Sequence, residues 1–399
     1  WHSSLLDPES YPVPETSGSG FYTYGLAWGI NHGLLERNEY LPSVKQAWTA
    51  LVESVYPSGK LGYVQPIGAD PRNVQPDMTE IYGVGAFLYA GSQVYKLALF
   101  DGAPRVTVHV TNPLNEHRDF ETVEMDADRL LDNGFKNIEK LAVFDVQENR
   151  FLVSQALKLG RRTAADLLLF QSDFAPGERR TFWIVEQKKD YAIPEPDHKA
   201  HAMFVPERKD DFAWESDRIA YRMYGPALEE ETISAGIDVW VKSVHYPVLH
   251  KWYAGEDYHT DHGEGLDFYK VGPTSGCGGF AFPGRDTLYT AAHNFREWRI
   301  LANGPIRTVF ELDYAAWNTG SGESRETKRI SLDLGSNLNR IECWFPDLQN
   351  PPVGAAAIVQ RGNAGEVAYN LNAGWLSYWE PKDKEHDYVG CGVVVSQNQ

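Results

Sequence analysis

Between Trp252 and Gly279 the chain reads WYAGEDYHTDHGEGLDFYKVGPTSGCGG. The stretch gathers groups that can move protons: His259, Asp261, His262, Glu264, Asp267, Tyr269 and Lys270, separated by glycines. Trp252, Tyr253, Tyr258 and Phe268 are interleaved with them. Rings that stack on a sugar face, beside titratable groups, are what a carbohydrate or acid/base site needs. A polar surface loop would share the glycine turns but has no need of so many ionisable groups. His259 and His262 stand three apart, interleaved with Asp261 and flanked by Glu264. That set suits zinc or a hard cation such as calcium, which makes His259, His262 and Asp261 candidate ligands of a divalent ion. The sequence demands no other cofactor.

Composition narrows the partners. The chain has 399 residues with a formal net charge of −18, and it carries 12 Trp and 21 Tyr. It has no basic field to neutralise phosphates, which argues against nucleic acid. An anionic sugar is compatible, because a local Arg or Lys clamp suffices for it. The aromatic surplus fits sugar binding as well as core packing. Cys277, Cys343 and Cys391 are odd in number and far apart, so they form neither a complete disulfide framework nor a metal spacing. Cys277, in GCGG, reads as a packed thiol. No apolar run is long enough to span a membrane. The chain opens at Trp1 without a methionine or signal peptide. It therefore reads as a fragment or a processed form, with a periplasmic or secreted destination expected.

The elements that must position these residues fall into two parts. Residues 1–97 read as helical, with helices expected over 17–35, 40–56 and 78–97. Leu41, Val44, Trp48, Leu51, Val52 and Val55 recur at helical spacing, and Pro57 with Gly59 ends the run. From about Pro104 the pattern alternates: Val106, Val108 and Val110 share one face of RVTVHVTN. Residues 149–157 and 166–171 read as further strands, and APGE at 175–178 as the turn of a hairpin joining 167–171 to 181–186. Residues 191–211 read as a long loop whose HKAHAMF carries exposed histidines. Then come AWESDRIAYRMYGPAL, GIDVWVKSV, RTVFELDYAAW, ETKRISLDLGSNLNRIECWF and GAAAIVQRG, strands parted by glycine, proline or acidic turns. So many strands without helical periods predict a mainly β protein: a large antiparallel β-sandwich over 104–399, preceded by the helical segment. Arg218 and Arg222 share one parity of DRIAYRMY. His245 and His250 read as packed or exposed, whereas His293, in AAHNFREW, could reach the same site.

Two resemblances cover nearly the whole chain. The runs ETSGSGFYTYGLAWGINHGLL, YLPSVKQAWTAL, GKLGYVQPIGADP and DMTEIYGVGAFLYAGSQVY resemble the last helical hairpins of the unsaturated uronyl hydrolases of glycoside hydrolase family 105. Those enzymes are (α/α)6 barrels that remove a 4,5-unsaturated uronic acid from the non-reducing end of an oligosaccharide. Their catalytic aspartate precedes the matching segment, so the resemblance implies no hydrolase activity for these residues. ESDRIAYRMYGPAL and NLNRIECWF resemble the two-sheet supersandwich of galactose-mutarotase-like proteins. DHGEGLDFYKVGPTSGCGG and LANGPIRTVFEL resemble the family catalogued as domain of unknown function 4861, which is found beside family 105 hydrolase domains.

The resemblance to family 4861 implies an oligosaccharide dehydratase acting on a terminal uronic acid of ulvan-type oligosaccharides. Such an enzyme removes the C5 proton and the C4 hydroxyl as water, leaving the C4=C5 bond that a family 105 hydrolase requires. The substrate would be an anionic oligosaccharide, and association with a family 105 hydrolase domain is expected. The reaction needs a base, an acid and a neutraliser for the carboxylate. His259 or His262 is the expected base, and Tyr269 or Tyr258 the acid. Lys270 or Arg222 would neutralise the carboxylate. Glu264 and Asp267 would orient a histidine or bind hydroxyls, and Trp252 or Trp240 would stack on the sugar. Arg218 and His293 complete the expected substrate contacts. An exo-acting lyase, an epimerase, a hydrolase using Glu264 with Asp267, Asp261 or Glu311, and a non-catalytic carbohydrate-binding module are the alternatives.

Overall fold

The computed structural model describes residues 1–4, 6–160, 165–234, 236–255, 257–351, 353–360, 364–382 and 386–395. It contains two compact units: Trp1–Arg105 with Val146–Arg150 and Lys188–Tyr191, and the remainder.

The first unit holds the helices Thr16–Asn31, Arg37–Glu53 and Ile81–Leu99. The Glu15 carboxylate accepts from the backbone N–H groups of Ser17 and Gly18 at 2.9 and 2.6 Å, satisfying amides that a helix start leaves orphaned. Val44, Ala47 and Leu51 are the buried positions of the second helix, three and four apart. Val44 meets Ala27, Ile30 and Leu97 in a small core.

Among the described residues, the second unit is built from antiparallel strands in six sheets. The run GAAAIVQRG supplies the strand Ala355–Ile358, while its Arg361 and Gly362 lie outside the described residues. The expected hairpin around 175–178 is corrected. The turn forms, with Glu178 N–H donating to the Ala175 carbonyl at 3.1 Å. Its flanking strands, however, join different sheets: Leu167–Phe174 pairs with Arg118–Asp126, whereas Arg179–Glu186 pairs with Leu141–Asp145. The turn is an arch between layers, and Phe170 meets Phe182 across it with ring centroids 4.7 Å apart. Both flanking runs carry apolar residues toward one core. Burying them face to face removes more apolar surface from water than pairing them edge to edge.

The sheet that carries Arg222 has five strands. Its spatial order is Gly265–Leu266, Asp238–Lys242, Ile219–Met223, Asp211–Glu215, His201–Val205. The last strand replaces part of the loop expected over 191–211, and its His201 side chain is 15% exposed beside Glu215 rather than out in solvent. Strand alternation divides the sheet's residues sharply. Phe212, Trp214, Tyr221, Met223 and Val239 enter the main core with Phe310, Leu312, Ile330 and Leu332 of a neighbouring four-stranded sheet. Asp211, Ala213, Ala220, Arg222, Asp238 and Trp240 have the opposite parity. Register places Arg222 opposite Asp238 on one side and Ala213 on the other. A short helix, Leu249–Tyr253, together with Tyr258 and Asp267, covers this second face.

Candidate functional site

A charged residue at an inward strand position must find its partners inside the protein. Arg222 finds several. Its guanidinium binds Asp238 Oδ2 through Nε and Nη2 at 2.9 and 2.5 Å, and Asp267 Oδ2 through Nη2 at 3.1 Å. Asp211 Oδ2 lies 3.7 Å from Nη1. The Trp240, Tyr224 and Tyr258 rings lie 5.1, 5.2 and 5.7 Å from its central carbon, a cation–π cage. Trp240 Nε1 adds a hydrogen bond to Asp238 at 3.1 Å. Arg222 and its three carboxylates are all buried.

Arg222 alone cannot neutralise three carboxylates, and Arg208 reaches Asp211 and Asp267 only at longer range. Burial pushes the Asp267 carboxyl up to about 8 and the Asp211 carboxyl up to about 6, and it also raises Asp238. Asp267 is therefore largely a neutral acid at pH 7. Its proton is held more tightly in the fold than in the open chain, so its stabilising contribution is full below the ordinary value of 3.8 and is lost as pH rises through about 8. Asp211 acts with the same sign up to about 6. Asp267→Asn is expected to flatten the fall in stability between pH 4 and about 8. Urea midpoints across that window measure it, and an unchanged slope would exclude Asp267 as the responsible group.

The cluster reaches the surface through Tyr258 and His259. Arg208 Nε and Arg222 Nη1 both donate to the Tyr258 hydroxyl oxygen, at 3.1 and 3.2 Å. A phenol oxygen has two lone pairs and one hydrogen. With both lone pairs engaged, the remaining capacity of Tyr258 is to donate. His259 is the complement. Its Nδ1 lies 2.9 Å from the Asp267 carbonyl oxygen, which can only accept, so Nδ1 carries the hydrogen of the neutral ring and Nε2 is left as an acceptor. The side chain is 59% exposed, and its ring centroid is 4.6 Å from that of Tyr258. A donor and an acceptor of protons thus stand side by side at the surface.

The backbone beneath is unusual. Arg208 ends the turn Pro206–Arg208, and the next two residues, Lys209 and Asp210, are left-handed with φ of 52° and 61°. Neither is glycine, and such conformations cost about 1–2 kcal/mol per residue. Gly225 permits the arrangement: a Cβ there would lie 1.8 Å from the Asp210 carbonyl oxygen. Gly265, at φ 107°, is needed likewise, since a Cβ would lie 2.0 Å from the Val241 carbonyl oxygen.

The other expected site residues have other places. Tyr269 turns into the main core and is buried with Val271 and Cys391, away from the face that carries Arg222. Lys270 is exposed. Trp240 and Trp252 are buried, with centroids 5.7 Å apart, and Tyr258 stacks on Trp240 at 4.7 Å. Their rings build the site's floor and have no open face for a sugar. Glu264 accepts from Tyr246, Trp252 and Lys251 at 2.5, 3.2 and 3.0 Å, so it clamps the covering segment to the sheet. The Tyr246 hydroxyl holds its carboxyl below the usual range. Asp267, expected to orient a histidine, does so through its backbone carbonyl.

Asp261 accepts from the N–H groups of Gly263 and Gly265 at 2.7 and 3.0 Å, which makes it a turn residue. His262 is exposed. The expected metal set of His259, His262 and Asp261 is corrected: among the described residues no three His, Cys, Asp or Glu side chains converge as ligands. Arg218 is exposed and lies 5.9 Å from the Phe120 ring. His293 is held 2.8 Å from Glu229, which also binds Arg296. A cleft of about 510 Å³ lies elsewhere in this unit, and its Arg307, Arg329 and Arg340 each hold a carboxylate.

Sequence reasoning missed Arg208, Asp211 and Asp238, and it read Tyr253 only as one of the interleaved rings. Tyr253 is half-buried, with its hydroxyl 3.5 Å from Asp211. Asp238 had a signal, being an acid within the apolar strand IDVWV, in register with Arg222.

Residues 110–399 match the model of a domain of unknown function, DUF4861. The chain belongs to the DUF4861 family. All the residues of the Arg222 cluster lie within this DUF4861 region. Residues 1–98 match the model of Glycosyl Hydrolase Family 88. Uncharacterized protein P7 of Formosa agariphila is 34% identical over 322 residues, covering 77% of this DUF4861 chain and 80% of that protein. An unsaturated 3S-rhamnoglycuronyl hydrolase of the same organism is 55% identical over 97 residues, which are 24% of this chain and 26% of the hydrolase. The chain thus spans about a quarter of that hydrolase's length. The solved structure of a polysaccharide lyase aligns over 25% of this chain and 29% of its own, at 45% identity and a TM-score of 0.24. No helix among the described residues is long and apolar enough to cross a membrane.

Proposed function

We propose that this protein is an oligosaccharide dehydratase acting on a non-reducing-end uronic acid. His259 Nε2 takes the C5 proton, and Tyr258 gives its proton to the C4 oxygen. The C5–H electron pair forms the C4=C5 bond as the C4–O bond breaks, and water leaves. The observation that carries this reading is the complementary state of two neighbours: a histidine left only with an acceptor nitrogen, and a tyrosine left only with a donor hydroxyl. The helical segment supports it, because its relative in Formosa agariphila is an unsaturated 3S-rhamnoglycuronyl hydrolase. A domain that creates an unsaturated uronyl end is a chemically sensible neighbour for a segment of that kind. Association with such a hydrolase, and work outside the cytoplasm where polysaccharides are met, belong to the same proposal.

The test is to incubate the protein with uronate-terminated oligosaccharides and follow the ultraviolet absorbance of the conjugated C4=C5 uronate. A rise without chain shortening is the expected result. A rise with a released sugar would make the enzyme an exo-lyase instead. New reducing ends without absorbance would overturn elimination altogether.

A further inference from the structure

Elimination next to a carboxylate requires that charge spreading into that group be neutralised. Arg222 is poorly placed for this task. It is buried, and its guanidinium is occupied by Asp238, Asp267 and Tyr258. Arg208 differs. It is half-buried, and its Nε donates to the Tyr258 hydroxyl. Among the described residues no carboxylate lies within ion-pair distance of it, and its terminal nitrogens have no hydrogen-bond partner. In a chain of net charge −18, an arginine with no close ion pair among the described residues, feeling Asp211 and Asp267 only at longer range, is conspicuous beside such a cluster. The two left-handed residues that follow it are the kind of backbone that persists only where the surroundings enforce it. Gly225 does the enforcing, through its close approach to Asp210.

We infer that Arg208 is the anchor for the substrate's carboxylate: a guanidinium fork that receives a sugar acid at the edge of the site. This rests on the uronate reading above. The fork matches the two oxygens of a carboxylate. Its Nε contact to Tyr258 places a bound uronate against the proton donor. Arg222 then has a separate role, holding the buried acids and the second hydrogen bond to Tyr258.

The experiment is calorimetric titration of the full chain with a uronate-terminated disaccharide and with its carboxyl-reduced counterpart. The wild-type protein should prefer the uronate by about 10- to 100-fold, the range a charged hydrogen bond supplies. Arg208→Gln should lose that preference while its circular dichroism stays unchanged, and Arg208→Lys should keep part of it, since it retains the charge without the fork. If Arg208→Gln is folded and still discriminates, the inference is overturned. It is overturned equally if the wild-type protein binds both sugars alike. Should Arg208→Gln fail to fold, the lysine variant decides: undiminished discrimination rejects the fork. Selective binding by the wild type that Arg208→Gln abolishes, with no absorbance change on any uronate, would sink the dehydratase reading and leave the Arg208 site standing.

Discussion

Tyr258→Phe is expected to lower kcat for elimination about 10²- to 10⁴-fold, the span of a lost general acid, with the fold intact. The ring keeps its place, because its stacking on Trp240 at 4.7 Å does not involve the hydroxyl. What disappears is the single hydrogen that two arginines leave free to donate. The loss should fall on kcat more than on KM, since the proton is transferred in the transition state. His259→Ala should cause a comparable loss from the other side of the reaction, and exogenous imidazole should restore part of it. Absorbance assays on the two variants check both. A Tyr258→Phe enzyme with wild-type kcat would move the acid to another group.

Arg222→Met is expected to destabilise the protein by about 3–5 kcal/mol, the typical penalty for removing one partner of a buried ion cluster. Methionine roughly fills the space but leaves Asp211, Asp238 and Asp267 without their shared cation. These acids would have to take up protons, so the loss should be largest at high pH and shrink as the medium is acidified. Denaturant midpoints at pH 5 and pH 8 would show this. A loss independent of pH would mean that Arg222 contributes through packing against its aromatic cage. Activity should fall as well, because Tyr258 loses one of its two donors.

How much of this was legible in the sequence depended on distance along the chain. Tyr258 and His259 stood out because they lie in a short polar run between glycines, and local density is something a sequence displays. The β-sandwich was legible from alternation, and the helices from their three-and-four spacing. The arch at 175–178 was not, since a tight turn specifies reversal of direction and leaves open which sheet each strand joins. The buried acids were hidden for a related reason. Asp211, Asp238 and Asp267 come from three separate segments, and strand register together with the chain leaving Gly265–Leu266 brings them to one guanidinium. Arg208 lay in a stretch that read as loop. Trp240 and Trp252 show the opposite error: aromatic rings near a polar run suggested sugar platforms, yet they serve as the floor beneath Tyr258.

The strict alternation of Ile219–Met223 has one more consequence. A slip of one residue against either neighbour would carry Arg222 through the sheet into the space now filled by Phe310 and Leu312, and would bring Tyr221 out against three aspartates. Neither outcome is tolerable in a dry interior. Arg222 therefore acts as a phase marker for the sheet, admitting only one of the two ways these strands could be stitched together. Single-residue insertions within them should be rejected during folding, before chemistry is ever attempted.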